Sequence, residues 1–79
     1  MPKGYVLINT DTGSDADVAK ELNKIEGTIA ETIYGVYDII ATVNAETMDK
    51  LKEIIRYRVR SIGGIRSTLT VIVTEEAKP

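Results

Sequence analysis

The chain has 79 residues, no cysteine, no histidine and a formal charge of -2 at pH 7. A length of this order holds one domain with a marginal core, so outside support is expected. Missing Cys and His remove disulfides and the common soft-metal sites, no acidic loop has EF-hand spacing, and self-association is the support that remains. The acidic balance argues against direct nucleic-acid binding, and the basic cluster Arg56, Arg58, Arg60 with Arg66 reads as a solvated helix face. No targeting, membrane-spanning or lipidation signal is present, so no membrane association is expected and the cytoplasm is the default compartment.

Tyr5 to Asn9 is a run of strand formers and predicts the first strand. Asp11-Thr12-Gly13-Ser14 then supplies turn chemistry, with Ser14 or Asp15 placed to accept from the free N–H groups that open a helix. Val18, Leu22 and Ile25 make one helical stripe, and Gly27 stands where a left-handed helix stop is expected. Thr28 to Tyr34 predicts the second strand and Asp38 to Val43 the third, joined as an antiparallel hairpin across Gly35-Val36. A second helix is predicted from about Glu46 to Ile62, with Met48, Leu51, Ile55, Val59 and Ile62 on one face. Gly63-Gly64 ends it, Ile65 to Thr74 is the last strand, and residues 75–79 read as a frayed tail.

A repeat lies within this order. Val18, Leu22, Ile25 and Gly27 recur 37 positions on as Ile55, Val59, Ile62 and Gly64. Each half is a strand, a helix and a strand, so residues 1–79 predict a single α+β domain of ferredoxin-like βαββαβ order. Its four-stranded antiparallel sheet would carry both helices on one face. The first and third strands are apolar on both faces: Tyr5 and Leu7 oppose Val6 and Ile8, while Ile39, Ala41 and Val43 oppose Ile40 and Thr42. A bare sheet face of that kind predicts a homodimer packing sheet against sheet. In the last strand, Thr68, Thr70 and Thr74 with Arg66 form a mainly polar row, which reads as its less buried face.

The segment Tyr34-Gly35-Val36-Tyr37-Asp38-Ile39 carries the other chemistry. Gly35 permits close backbone approach, and Asp38 places a carboxylate at the loop exit, there either to hold a ligand ammonium or to cap local backbone N–H groups.

With Ile25-Glu26-Gly27-Thr28-Ile29 before it, and Ile62-Gly63-Gly64-Ile65 and Thr68-Leu69-Thr70-Val71-Ile72-Val73 after it, this segment resembles the ligand-binding (RAM) domain of the Lrp/AsnC feast/famine regulators. The resemblance covers nearly the whole chain. It implies a sheet-to-sheet dimer, assembly of dimers into higher oligomers, and a free amino acid bound between dimers. It makes Gly35, Tyr37, Asp38, Thr68 and Thr70 the candidate ligand-binding residues. Asp38 would take the ammonium, the Thr hydroxyls and amides near Gly35 the carboxylate. Tyr37 would close over the ligand side chain or serve an interface.

Typical family members carry an N-terminal helix-turn-helix, for which the sequence before Tyr5 has no room. The expectation is therefore a stand-alone sensor or transcription-regulation accessory, with full-length regulators of the family as candidate partners. An ACT-like amino-acid-binding module and a ring-forming structural adaptor without ligand are the alternatives. An enzyme is not expected, since neither His nor Cys nor a convergent acid–base pair is available, and no cofactor is implied.

Overall fold

The computed structural model describes residues 1–74, and the predicted frayed tail lies outside them. Strand β1 (Lys3–Thr10) leads into helix α1 (Asp15–Leu22), followed by the hairpin of β2 (Thr28–Thr32) and β3 (Ile39–Asn44). Helix α2 (Met48–Glu53) continues directly into a π-helical turn, Ile54–Val59, and β4 (Ile65–Ile72) closes the domain. The strands form one sheet in the order β2-β3-β1-β4, with every neighbouring pair antiparallel. This is the βαββαβ ferredoxin-like arrangement.

Strand alternation divides the residues between two faces. Val6, Ile8, Ile39, Ala41 and Val43 are buried together with Val18 and Leu22 of α1 and with Leu51, Ile55 and Val59 of the second helical segment. Both helices therefore cover the same face. Val6 and Ile8 belong to this core, and the open face takes Tyr5 and Leu7. Pairing of Leu7 with both Ile40 and Leu69, and of Tyr5 with both Thr42 and Val71, places those residues in rows across the open face. Ile29 joins them from β2 through its pairing with Thr42. Leu69 and Val71, expected on the more buried side of the last strand, remain 47% and 48% exposed and extend this apolar face.

The structure corrects several boundaries. Strand β2 stops at Thr32 rather than Tyr34, because the chain turns away into the hairpin loop; β4 stops at Ile72 rather than Thr74. The first helix ends at Leu22, and Ile25 reaches the core from the connection that follows, with its N–H on the carbonyl of Leu22 at 3.0 Å. The side chain of Ser14 makes no cap bond; its backbone carbonyl accepts from Val18 instead. The second helix starts two residues later than predicted, capped by Thr47, whose hydroxyl accepts from the Lys50 amide at 3.1 Å.

The π-helical turn explains how a stripe spaced by fours stays buried. At 3.6 residues per turn, a four-residue step overshoots by about 40°. Wider i→i+5 turns offset that drift, and Leu51, Ile55 and Val59 all stay in the core.

The internal repeat has a structural counterpart. The carbonyl of Gly27 accepts from Asn44 N–H and that of Gly64 from Asp11 N–H, each at 2.8 Å. Each half thus closes on the other in the same way. Gly27 has φ 77°, and a Cβ there would run into the carbonyl oxygen of Asn44, so glycine is required on two counts. The edge of β2 is covered by Asn23, whose Oδ1 accepts from Ala30 N–H at 2.8 Å while its Nδ2 donates to the Ala30 carbonyl at 3.1 Å.

Candidate functional site

The five predicted site residues fall in three places. Asp38 stands at the exit of the β2–β3 hairpin, where its own N–H donates to the Ile8 carbonyl at 2.9 Å and so prolongs the β1–β3 ladder. Its Oδ2 accepts from Thr10 N–H at 2.9 Å and from the Thr10 hydroxyl at 3.3 Å. The carboxylate thus caps a backbone N–H of β1, 28 residues away, rather than the local loop N–H groups that the spacing suggested. Around the carboxylate lies a depression at the C-terminal end of β1, walled by Asp11, Asp15, Arg66 and Ser67. The β1–β4 ladder shifts register between Asn9 and Thr10, so that Arg66 has no partner across β1 and can turn toward this depression.

Gly35 and Tyr37 belong to the loop itself and line neither this depression nor the one described next. Gly35 has φ 152°, and a Cβ there would meet nothing within 4 Å, so the conformation rather than close contact calls for glycine. Tyr37 is half-buried, while Tyr34 and Val36 at the tip stand fully in solvent.

Thr68 and Thr70 lie on the helix-bearing side of β4, opposite Ile8 and Val6. They are not simply the less buried row, since Leu69 and Val71 on the other face are themselves half exposed. Because β4 is an edge strand, the two threonines face a groove completed by the second helical segment. Its walls are Lys52, Arg56 and Arg60, and Ile55 and Ile72 also line it. Of the predicted basic cluster, Arg56 thus joins Arg60 in this groove and Arg66 joins Asp38 in the other depression. Arg56 and Arg60 were legible as part of a solvated helix face; their proximity to Thr68 and Thr70 was not.

Ile39, beside Asp38, and Thr68 pair with the same residue, Ile8, from opposite sides. At a strand spacing near 4.8 Å they are about 10 Å apart. One copy therefore does not bring the Asp38 carboxylate and the Thr68/Thr70 hydroxyls into a common cavity. One depression is mainly acidic, the other basic. Among the described residues, no group of three or more Asp, Glu, His or Cys side chains is placed to hold a metal ion, and no helix is long and apolar enough to cross a membrane.

A family model, the Lrp/AsnC ligand binding domain, matches residues 3–79. The chain belongs to this family, whose members are small-molecule-sensing regulatory domains of transcription regulators. Among solved structures, hypothetical protein PHS023 from Pyrococcus horikoshii is 28% identical with a TM-score of 0.87, the match covering 96% of this chain and 93% of that one. E. coli AsnC is 20% identical with a TM-score of 0.84, covering 99% of this chain and 54% of AsnC. Transcriptional regulator NMB0573 of Neisseria meningitidis, solved as its L-Met complex, is 16% identical with a TM-score of 0.78, covering 99% of this chain and 53% of that one. The likeness to these last two is one of fold. No curated protein sequence matches the chain.

Proposed function

We propose that this protein is an amino-acid sensor that works as an oligomer and does not itself grip DNA. The observation that carries the reading is membership of a ligand-binding family combined with the division of the candidate residues between two surfaces. A zwitterion needs an anionic and a cationic or hydrogen-bonding end, and here those ends sit on separate surfaces of one copy. Packing of the open sheet face against a second copy buries Leu7, Leu69 and Val71; contact between such dimers then brings the loop of one copy toward the groove of another. In this arrangement Asp38 takes the ligand ammonium through Oδ1, since its bonds to Thr10 use Oδ2. Thr68 and Thr70 donate to the carboxylate, and Gly35 and Tyr37 shape the closing loop. The bound L-Met of the Neisseria regulator supports an amino acid as ligand class.

The net charge of -2 supports indirect action on transcription, through a cytoplasmic DNA-binding regulator that shares the dimer surface. Calorimetry of the intact oligomer against the twenty amino acids tests the reading. A saturable heat with one of them, weakened by Thr70→Val, is expected. Absence of binding by all twenty would leave a structural adaptor.

A further inference from the structure

The groove that holds Thr68 and Thr70 has a charge that the sensor reading does not by itself explain. Lys52, Arg56 and Arg60 follow at four-residue spacing, and all three line it. On an unbroken α-helix, two such steps would carry the last side chain about 80° off the face of the first. The π-helical turn Ile54–Val59 offsets this drift, as it does for the adjacent core stripe Leu51, Ile55 and Val59. No carboxylate lines the groove. Among the described residues the ion pairs are Lys24–Glu21 and Lys50–Glu53, and neither draws on these three cations. Three like charges beside two hydroxyl donors produce a strongly positive potential, which a neutral zwitterion satisfies poorly because its own ammonium is repelled there.

We infer that the groove between the second helical segment and β4 selects a dicarboxylic amino acid, of the aspartate or glutamate type; this rests on the amino-acid-sensor reading above. One carboxylate is held by the Thr68 and Thr70 hydroxyls. The other spans the guanidinium groups of Arg56 and Arg60, whose planar forks suit a carboxylate better than the point charge of Lys52 does. Lys52 adds to the field at the groove mouth. The ammonium points away from the cations, toward the acidic loop surface of a neighbouring copy.

The experiment is calorimetry on the oligomer with L-glutamate, L-aspartate, L-leucine, L-lysine and inorganic phosphate, repeated with Arg56→Gln, Arg60→Gln and the control Arg58→Gln. All three arginines are exposed, and circular dichroism verifies that each variant stays folded. Glutamate or aspartate should bind, and loss of one charge-assisted contact should weaken it by about tenfold to a hundredfold. The Arg58 change should leave affinity unaltered, and raised salt should lower it. Binding of leucine or lysine without glutamate or aspartate would keep the sensor and overturn the acidic ligand. Acidic amino acids binding undiminished in both groove variants would place recognition elsewhere and overturn the assignment too. Phosphate binding with the same arginine dependence, and no amino acid binding, would refute the dicarboxylate and make this a phosphate groove. Silence from every probe would overturn the dicarboxylate assignment, while the sensor reading falls only if all twenty amino acids fail to bind.

Discussion

Removal of the Asp38 carboxylate is expected to cost stability before it costs affinity. Its Oδ2 accepts from the amide and the hydroxyl of Thr10, at 2.9 and 3.3 Å, and thereby ties the β2–β3 hairpin to the end of β1. Thr10 is only 7% exposed, so water replaces the lost acceptor poorly. A hydrogen bond to a charged group nets about 1.5–3 kcal/mol. Partial exposure of Asp38 favours the lower end, about 1.5–2 kcal/mol. For a domain of this size each kcal/mol moves Tm by roughly 4–8 °C, which makes the expected drop for Asp38→Ala roughly 6–16 °C. Asp38→Asn keeps a neutral acceptor oxygen and should lose about half as much. Thermal unfolding followed by circular dichroism, at one protomer concentration because association itself raises Tm, reads the difference. An unchanged Tm for Asp38→Ala would refute the structural role derived for the contact with Thr10. Asp38→Asn is accordingly the cleaner variant for measuring the ligand ammonium, because it perturbs the hairpin less.

Leu69→Glu on the open sheet face should lower the mass seen by light scattering while leaving the circular dichroism spectrum intact. Val6→Glu, which buries an unpaired charge at a position 1% exposed, should unfold the chain, since that penalty of several kcal/mol rivals a whole domain's stability. Gly27→Ala meets both an unfavourable φ and the Asn44 carbonyl; a loss of about 1–3 kcal/mol, read as a lower urea midpoint at unchanged slope, is expected. Asn23→Ala strips the cover from the edge of β2 and leaves the Ala30 amide without its partner. Ala30 should exchange its amide hydrogen faster, at a cost of about 1–3 kcal/mol in stability.

Much of the fold was legible because it rests on periodicity. Alternation within Tyr5–Ile8 and Ile39–Val43, stripes at Val18/Leu22 and Leu51/Ile55/Val59, and glycine at the two helix exits each reflect a local conformational rule. Matching halves then left few topologies open. Family membership was legible too, through the hairpin and the paired threonines. Boundaries were less so: nothing local says that β2 ends at Thr32, because Ile33 and Tyr34 are good strand formers. Ile33 still donates its N–H to the Asp38 carbonyl at 2.9 Å, and where the strand ends beyond it depends on where the hairpin turns and on what β1 offers to Asp38.

Three things were decided only by the tertiary structure. Alternation tells that Val6 and Leu7 point to opposite faces, but not which face the helices cover; burial of Val6 and Ile8 settles it. The partners of Asn23 and Asp38 lie 7 and 28 residues away, set by how helix and strands are packed rather than by neighbours in sequence. Most consequentially, Thr68 and Thr70 share a groove with Lys52, Arg56 and Arg60, while Asp38 opens onto another depression. Residue types can nominate donors and acceptors. Which of them meet depends on strand order, on the register shift after Asn9 and on the π-helical turn that aligns the cations, and these arise from long-range packing.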